Sequence, residues 1–275
     1  MTHAPQATAL YERHEAYIPR VAAIHDLCGY GKCSLGVAIP VLSAAGCDVC
    51  PVPTGLFSSH TAFPGWYMHD TTDILSDYLT AWQRIGVELD AVYSGFLGAP
   101  EQVDIIKQVW DTYPDALRVV DPVMADHGKV YPTYTPELVA AMGTLADGAD
   151  ILTPNLTEAA IILGREWEGA DVEEETVRSI MGALRERGAK NVVLKGIEHG
   201  DGLIHNYVWG DSVDFTETTN AKLPYMLHGT GDVFASTLLA AVMAGRDLAC
   251  ATAFAADFTA DAMVVSAKQP DFEAR

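Results

Sequence analysis

With 275 residues, 49% of them hydrophobic, the chain carries enough apolar surface to bury a sizeable α/β core, which excludes global disorder. Its 37 acidic against 17 basic side chains give a formal net charge of -20, a balance that repels nucleic-acid phosphates and anionic membrane surfaces. No apolar run approaches the roughly 20 residues that cross a bilayer, and "MTHAPQATALYERHEAYIPR" lacks a basic stretch followed by an apolar one, so a cytoplasmic protein is expected.

Short runs rich in Val and Ile alternate with segments of helical period along almost the whole chain. In order, the pattern predicts a strand at 20–25 (RVAAIH), a helix at 35–45, a strand at 48–53 (DVCPVP), a helix at 71–86, a strand at 90–95 (DAVYSG) and a helix at 101–113. A strand at 117–121 (LRVVD), a helix at 135–146, a strand at 150–154 (DILTP), helices at 157–163 and 173–187, and a strand at 191–196 (NVVLKG) follow. Such alternation predicts an α/β fold with a mainly parallel central sheet and helices on both faces. Residues 200–224 instead alternate apolar and polar, with Gly210-Asp211 as punctuation, which predicts an antiparallel hairpin on the sheet edge. Apolar helices at 232–245 and 247–266 close the chain. Without an internal repeat or a linker, 1–275 is expected to be a single domain, with 1–19 an N-terminal extension of no assigned role.

The five cysteines, Cys28, Cys33, Cys47, Cys50 and Cys250, are odd in number and sit among apolar neighbours, as in a reducing compartment. Cys47 and Cys50 form a C-x-x-C at the entry to a strand, not at a helix N-terminus that would activate a thiol. Core packing is the expected use, with a zinc site including Cys28 and Cys33 as the alternative.

Ligands of an open parallel sheet sit at the carboxyl ends of its strands. The residues there are His25 and Asp26, Phe57 to Thr61 (including His60), Ser94 to Gly98, Asp121, Asn155 with Glu158, Lys195 with Gly196, and lastly Gly229-Thr230-Gly231-Asp232. Glycines at 229 and 231 permit a tight turn into an apolar helix whose first amides lack partners, so this loop is a candidate anion hole. Asp232 is either an N-cap or an acid placed to take a proton from an attacking hydroxyl.

"HGTGDVFASTLLAAVMAG" resembles the G-x-G-D signature of ribokinase-like small-molecule kinases. The ordered segments "IHDLCGYGKCS", "PTGLFSSHT", "SGFLG", "DPVM" and "TPNLTEA" resemble its pyridoxal/pyridoxamine (vitamin B6) kinase branch over about residues 20 to 266. The resemblance implies a ribokinase-like fold, ATP and Mg2+ as cofactors (with a monovalent cation as a further option), a heterocyclic alcohol as acceptor, and a homodimer. It implies Asp232 as catalytic base and the amides of Gly229, Thr230 and Gly231 as the hole for the transferred phosphoryl group. It further implies Asn155, Lys195 and Gly196 at the nucleotide, Asp121 and Glu158 as magnesium ligands, and Phe57, His60 and Thr61 over the acceptor ring. His25-Asp26 replaces the Ser-His pair of better-known pyridoxal kinases, and "HDLCGYGKCS" is partly similar to the first loop of hydroxymethylpyrimidine kinases. Asp26 therefore suits either heterocycle, and a hydroxymethylpyrimidine kinase or a non-catalytic B6-binding homologue stand as alternatives.

Each of these residues also has a plainer reading. Asn155 and Glu158 suit a turn and the acidic first turn of a helix, Asp121-Pro122 a strand terminator, His60 an ordinary histidine and Lys195 a solvated lysine. "DHGKVY" (126–131) has loop composition and is expected over the site as a lid. Gly29-x-Gly31 lacks the third glycine of a dinucleotide fingerprint, and Ser58-Ser59-His60 lacks a G-x-S-x-G elbow, which argues against a dehydrogenase and a hydrolase.

Overall fold

The computed structural model describes residues 7–270. Residues 1–6, which fall in the expected N-terminal extension, and 271–275 lie outside the described part. The central sheet comprises β1 (Arg20–Cys28), β2 (Asp48–Phe57), β3 (Met68–Asp70), β4 (Ala91–Ser94), β5 (Leu117–Val120), β8 (Ile151–Leu152), β9 (Asn191–Ile197), β10 (Leu203–Gly210) and β11 (Thr216–Ala221). β6 (Ala125–Asp126) and β7 (Lys129–Val130) form a separate two-stranded ribbon. Across the sheet the order is β11-β10-β9-β8-β5-β4-β1-β2-β3. The central pairs are parallel, whereas β3, β10 and β11 add antiparallel edges. The strand order reverses between β1 and β4, and such reversals open a crevice at the carboxyl ends.

Among the described residues there are eight helices, α1 (Leu35–Ala44), α2 (Thr72–Arg84), α3 (Pro100–Thr112), α4 (Pro136–Ala146), α5 (Leu156–Leu163), α6 (Glu174–Glu186), α7 (Thr230–Met243) and α8 (Leu248–Ser266). Alternate residues of β1 divide between two cores. Ala22 and Ile24 face the cluster with α2 to α6, while Val21 and Ala23 face the one with α1, α7 and α8. A strand buried on both sides reads as continuous apolar sequence, which is why "RVAAIH" shows no alternation.

Three departures from expectation have local causes. β3 is a short edge pairing with β2 whose three residues, Met-His-Asp, carry no strand pattern. "DHGKVY" is not an open loop, because His127 (φ 47°) and Gly128 (φ 74°) turn it into the β6–β7 ribbon, and the Gly128 amide donates to Thr157 Oγ1 of α5 at 2.9 Å. The expectation that no apolar run is long enough for a bilayer is corrected: α8 has a window of mean hydropathy 1.5 and meets the length and composition of a span, with 28% of that window buried. Its apolar residues are interrupted by Asp257 and Asp261, and Leu248, Ala251, Thr252, Ala255 and Ala256 pack it inward beside α7.

The segment before β1 runs under the opposite end of the sheet. Tyr11 and Tyr17 hydroxyls and the Arg20 amide all donate to the Asp90 carboxylate, at 3.0, 3.1 and 2.7 Å.

Candidate active site

The carboxyl ends of β1, β5, β8 and β9 converge on the N-terminus of α7. An isolated parallel bridge between Asn155 and Lys195 prolongs the β8–β9 pairing up to the crevice.

Gly229, not Asp232, caps α7. Gly229 has φ 79° and offers no side chain, and a Cβ there would run into the Lys32 carbonyl, so glycine is required. Asp232, in the first turn, is 7% exposed. Its Oδ2 accepts from the Ser34 amide at 2.9 Å, across 198 residues of sequence, and its Oδ1 has no partner. Burial pushes its pKa up to about 7, against the Ser34 amide, with Asp121 and Asp26 adding to the rise. A carboxylate tuned near neutrality with a free oxygen has the properties of a general base.

Beside it, Lys195 Nζ lies 2.5 Å from Asp121 Oδ1, which also accepts from Thr153 Oγ1 at 3.0 Å. The ammonium stands 3.6 Å from where a Cβ on Gly231 would lie, so it flanks the Gly229–Gly231 turn. Burial opposes its charge, yet Asp121 and Glu158 outweigh that and hold its pKa above the ordinary lysine value. With its side chain 13% exposed, Lys195 is not a solvated lysine. Gly196, at φ 74°, donates its amide to Asn206 Oδ1.

Asn155 and Glu158 form a reciprocal capping box at the start of α5. Asn155 Oδ1 accepts from the Glu158 amide, Glu158 Oε2 accepts from the Asn155 amide, both at 2.9 Å, and Asn155 Nδ2 donates to the Ala125 carbonyl. Glu158 Oε1 accepts from the Met124 amide at 3.3 Å. Burial raises the Glu158 pKa, with Lys195 opposing. The plainer reading of these two residues thus describes their local geometry. That geometry also carries the Glu158 carboxylate to the Lys195–Asp121 pair.

Across the crevice, Asp26 is buried, and burial raises its pKa; its Oδ2 accepts from Cys28 Sγ, whose sulfur lies 3.3 Å from Cys33 Sγ. His25 points to the other face of β1, fully buried and edge-on to Tyr93 at 4.3 Å. Neither ring nitrogen has a partner, and burial lowers its pKa to about 3, so the ring is neutral. Phe57 packs into the core against Phe96 and Trp66. The His60 ring lies on Phe63 and His228, and its close approach to Gly31 locks the first loop against the 57–63 segment. Thr61 is exposed beside it. The structure therefore gathers Asp26, His60, Asp121, Glu158, Lys195 and Gly229–Asp232 around one crevice, and seats His25 and Phe57 behind its wall. Ser34, Thr153 and His228 belong to it although the sequence did not mark them. Ser34 acts through its backbone amide, which leaves no trace in residue type.

Residues 41–272 match the family model described as phosphomethylpyrimidine kinase. The pyridoxal kinase PdxY of Deinococcus radiodurans is 28% identical over 234 residues, covering 80% of this chain and 78% of that protein. Among solved structures, a protein of Bacteroides thetaiotaomicron assigned as a phosphomethylpyrimidine kinase, in a crystal form with pyridoxal, is 33% identical. It superimposes with a TM-score of 0.89 over 94% of this chain and 92% of its own. The pyridoxal kinase of Lactobacillus plantarum is 27% identical with a TM-score of 0.85, covering 94% and 92%.

Proposed function

The chain belongs to the phosphomethylpyrimidine kinase family of ribokinase-like small-molecule kinases, and from that premise we propose that it is a pyridoxal kinase. The reaction moves the γ-phosphoryl group of ATP to the 5-hydroxymethyl oxygen of pyridoxal, pyridoxine or pyridoxamine. The observation that carries the proposal is the buried Asp232 carboxylate, one oxygen held by Ser34 and the other free, at the mouth of α7 beside Lys195.

Phosphoryl transfer needs positioning and charge stabilisation more than covalent chemistry by the protein. Asp232 Oδ1 takes the proton of the acceptor hydroxyl as its oxygen bonds to the γ-phosphorus and the bond to the leaving ADP oxygen breaks. The amides of Gly229, Thr230 and Gly231, with the Lys195 ammonium, face the negative charge of the transferring group. Asp26 and His60 bind the acceptor ring from the opposite wall, while the capped start of α5 and Gly196 border the nucleotide. The donor set suits magnesium: Asp121 Oδ2 is a buried carboxylate oxygen without a partner, and Glu158 is a second hard oxygen donor nearby. Asp121, with Glu158 directly or through water, would hold the ion, which would supply positive charge against the phosphates. A homodimer in the cytoplasm, each chain one domain, completes the proposal and is open to light scattering of the purified protein.

A coupled assay of ATP consumption over a panel of heterocyclic alcohols tests it. The highest kcat/KM is expected for a B6 vitamer, and no turnover with any vitamer refutes it. Hydroxymethylpyrimidine phosphorylation is the second reading, favoured by the family match, with Asp26 a buried acceptor able to pair with a donor on either ring.

A further inference from the structure

Away from the crevice, the connection between β9 and β10 and the facing strand β11 bring together two imidazoles and two carboxylates that the phosphoryl-transfer reading does not use. His199 and Asp201 lie in the turn after β9, His205 and Tyr207 on β10, and Glu217 on β11 opposite Tyr207. One ligand atom each from His199, His205 and Glu217 falls within 4.8 Å of the other two. His205 Nδ1 lies 2.5 Å from Glu217 Oε1, and its Nε2 lies 3.1 and 3.2 Å from the two oxygens of Asp201. His199 Nε2 lies 2.8 Å from the Tyr207 hydroxyl, which itself donates to Glu217 Oε1 at 2.7 Å.

We propose that His199, His205 and Glu217 form a binding site for a zinc-class divalent transition-metal ion that ties the edge hairpin to the turn after β9. Two imidazole nitrogens and one carboxylate oxygen are the donors that zinc selects, whereas magnesium and calcium prefer oxygen alone. Ligands of a tetrahedral zinc at about 2.0–2.1 Å stand roughly 3.3–3.5 Å apart, so the His205–Glu217 pair, now at 2.5 Å, must open by about an ångström and no pair need close by more than about 1.5 Å. Glu217, with its side chain 40% exposed, has room for that rotation, and His205, at 7%, supplies the fixed point. The surroundings match the outer shell of a metal site. A ligating histidine characteristically gives its second ring N–H to a carboxylate, and Asp201 stands at His205 Nε2 for that purpose, leaving Nδ1 directed inward. The Tyr207 hydroxyl touches both other ligands and orients them. The turn is short and glycine-rich, with Gly200 (φ 70°) and Gly202 (φ 82°) in the left-handed region, and an ion would tie His199, whose ring otherwise hydrogen-bonds, among the described residues, only to the Tyr207 hydroxyl of β10, to both strands of the hairpin. Without an ion His205 is held by Asp201 and Glu217, and His199 by the Tyr207 hydroxyl and a T-shaped contact with the His205 ring; what sets the group apart is that donor atoms of His199, His205 and Glu217 share one centre.

The test is a calorimetric titration of the full chain with Zn2+ in excess Mg2+, after chelator treatment and dialysis, followed by thermal unfolding with and without the bound ion. One site per chain and a raised unfolding temperature are expected. His199→Ala and, separately, Glu217→Gln should each weaken binding by at least about 100-fold, more than loss of an outer-shell partner costs. His199→Gln keeps the side-chain bulk and should behave like His199→Ala, and each variant's unfolding temperature without metal shows that the chain still folds. Cys33→Ser should leave the affinity unchanged, which separates this site from the Asp26–Cys28–Cys33 group. Absence of a zinc site, binding indifferent to both His199 and Glu217, or binding lost with Cys33 would each overturn the proposal.

Discussion

Replacing Asp232 by asparagine should make the protein more stable and almost inactive, by amounts that follow from the site. The carboxyl group is buried, one oxygen has no partner, and its pKa rises from 3.8 to about 7. That rise corresponds to about 4 kcal/mol by which the native state disfavours the charged form. Because the folded pKa is raised, this stabilising contribution of the protonated acid is complete below about 3.8 and is lost as pH climbs through 7. Asparagine carries no charge and its amide oxygen keeps the Ser34 bond. Its nitrogen, however, takes the position of the unpartnered oxygen and costs about 1–3 kcal/mol. The variant should therefore exceed the wild type by about 1–3 kcal/mol at pH 8, and that margin should shrink by about 2–3 kcal/mol, and even reverse, at pH 5. Urea unfolding at the two pH values measures this, and a coupled kinase assay should show turnover reduced on the order of 100-fold or more with nucleotide affinity retained. A margin that does not change with pH would refute the burial argument. Near-normal turnover would refute the assignment of the base.

Further outcomes follow from the same geometry. The kcat/KM of the wild type should fall as pH drops through about 7, since the base must be unprotonated and Asp232 in the free enzyme has its pKa there; a profile flat from pH 8 to 5.5 contradicts it. Lys195→Met strands the buried Asp121 and should cost about 3–5 kcal/mol in unfolding free energy, together with a loss of turnover. Gly229→Ala forces a side chain into the Lys32 carbonyl at a positive φ, and should lower both thermal stability and kcat by more than a neutral surface exchange such as Glu186→Ala does. Cys28→Ala removes a donor from Asp26 and should raise KM for the acceptor alcohol without changing KM for ATP, whereas Cys28→Ser, which keeps a donor, should restore it.

What was legible in the sequence was whatever short-range chemistry specifies. Apolar period and turn residues placed eight helices within about two residues of their observed ends, and the alternation of 200–224 gave the edge hairpin. The G-x-G-D stretch was readable because only glycine fits Gly229, and "N-L-T-E" because a capping box is closed within four residues. β3 and the β6–β7 ribbon were missed, for their pairing partners and not their own residues make them strands.

By itself, then, the sequence determined the layered fold and the chain order of the motifs, because local propensity and apolar pattern act over a few residues. Only the tertiary structure decided what each polar residue does. It removed the capping role from Asp232 by giving it the amide of Ser34, took Lys195 out of solvent by setting it against Asp121, turned His25 into the wall, and drew His199, His205 and Glu217 together. Charge state, burial and hydrogen-bond supply are set by neighbours up to 198 residues distant in the chain, and no local pattern records them.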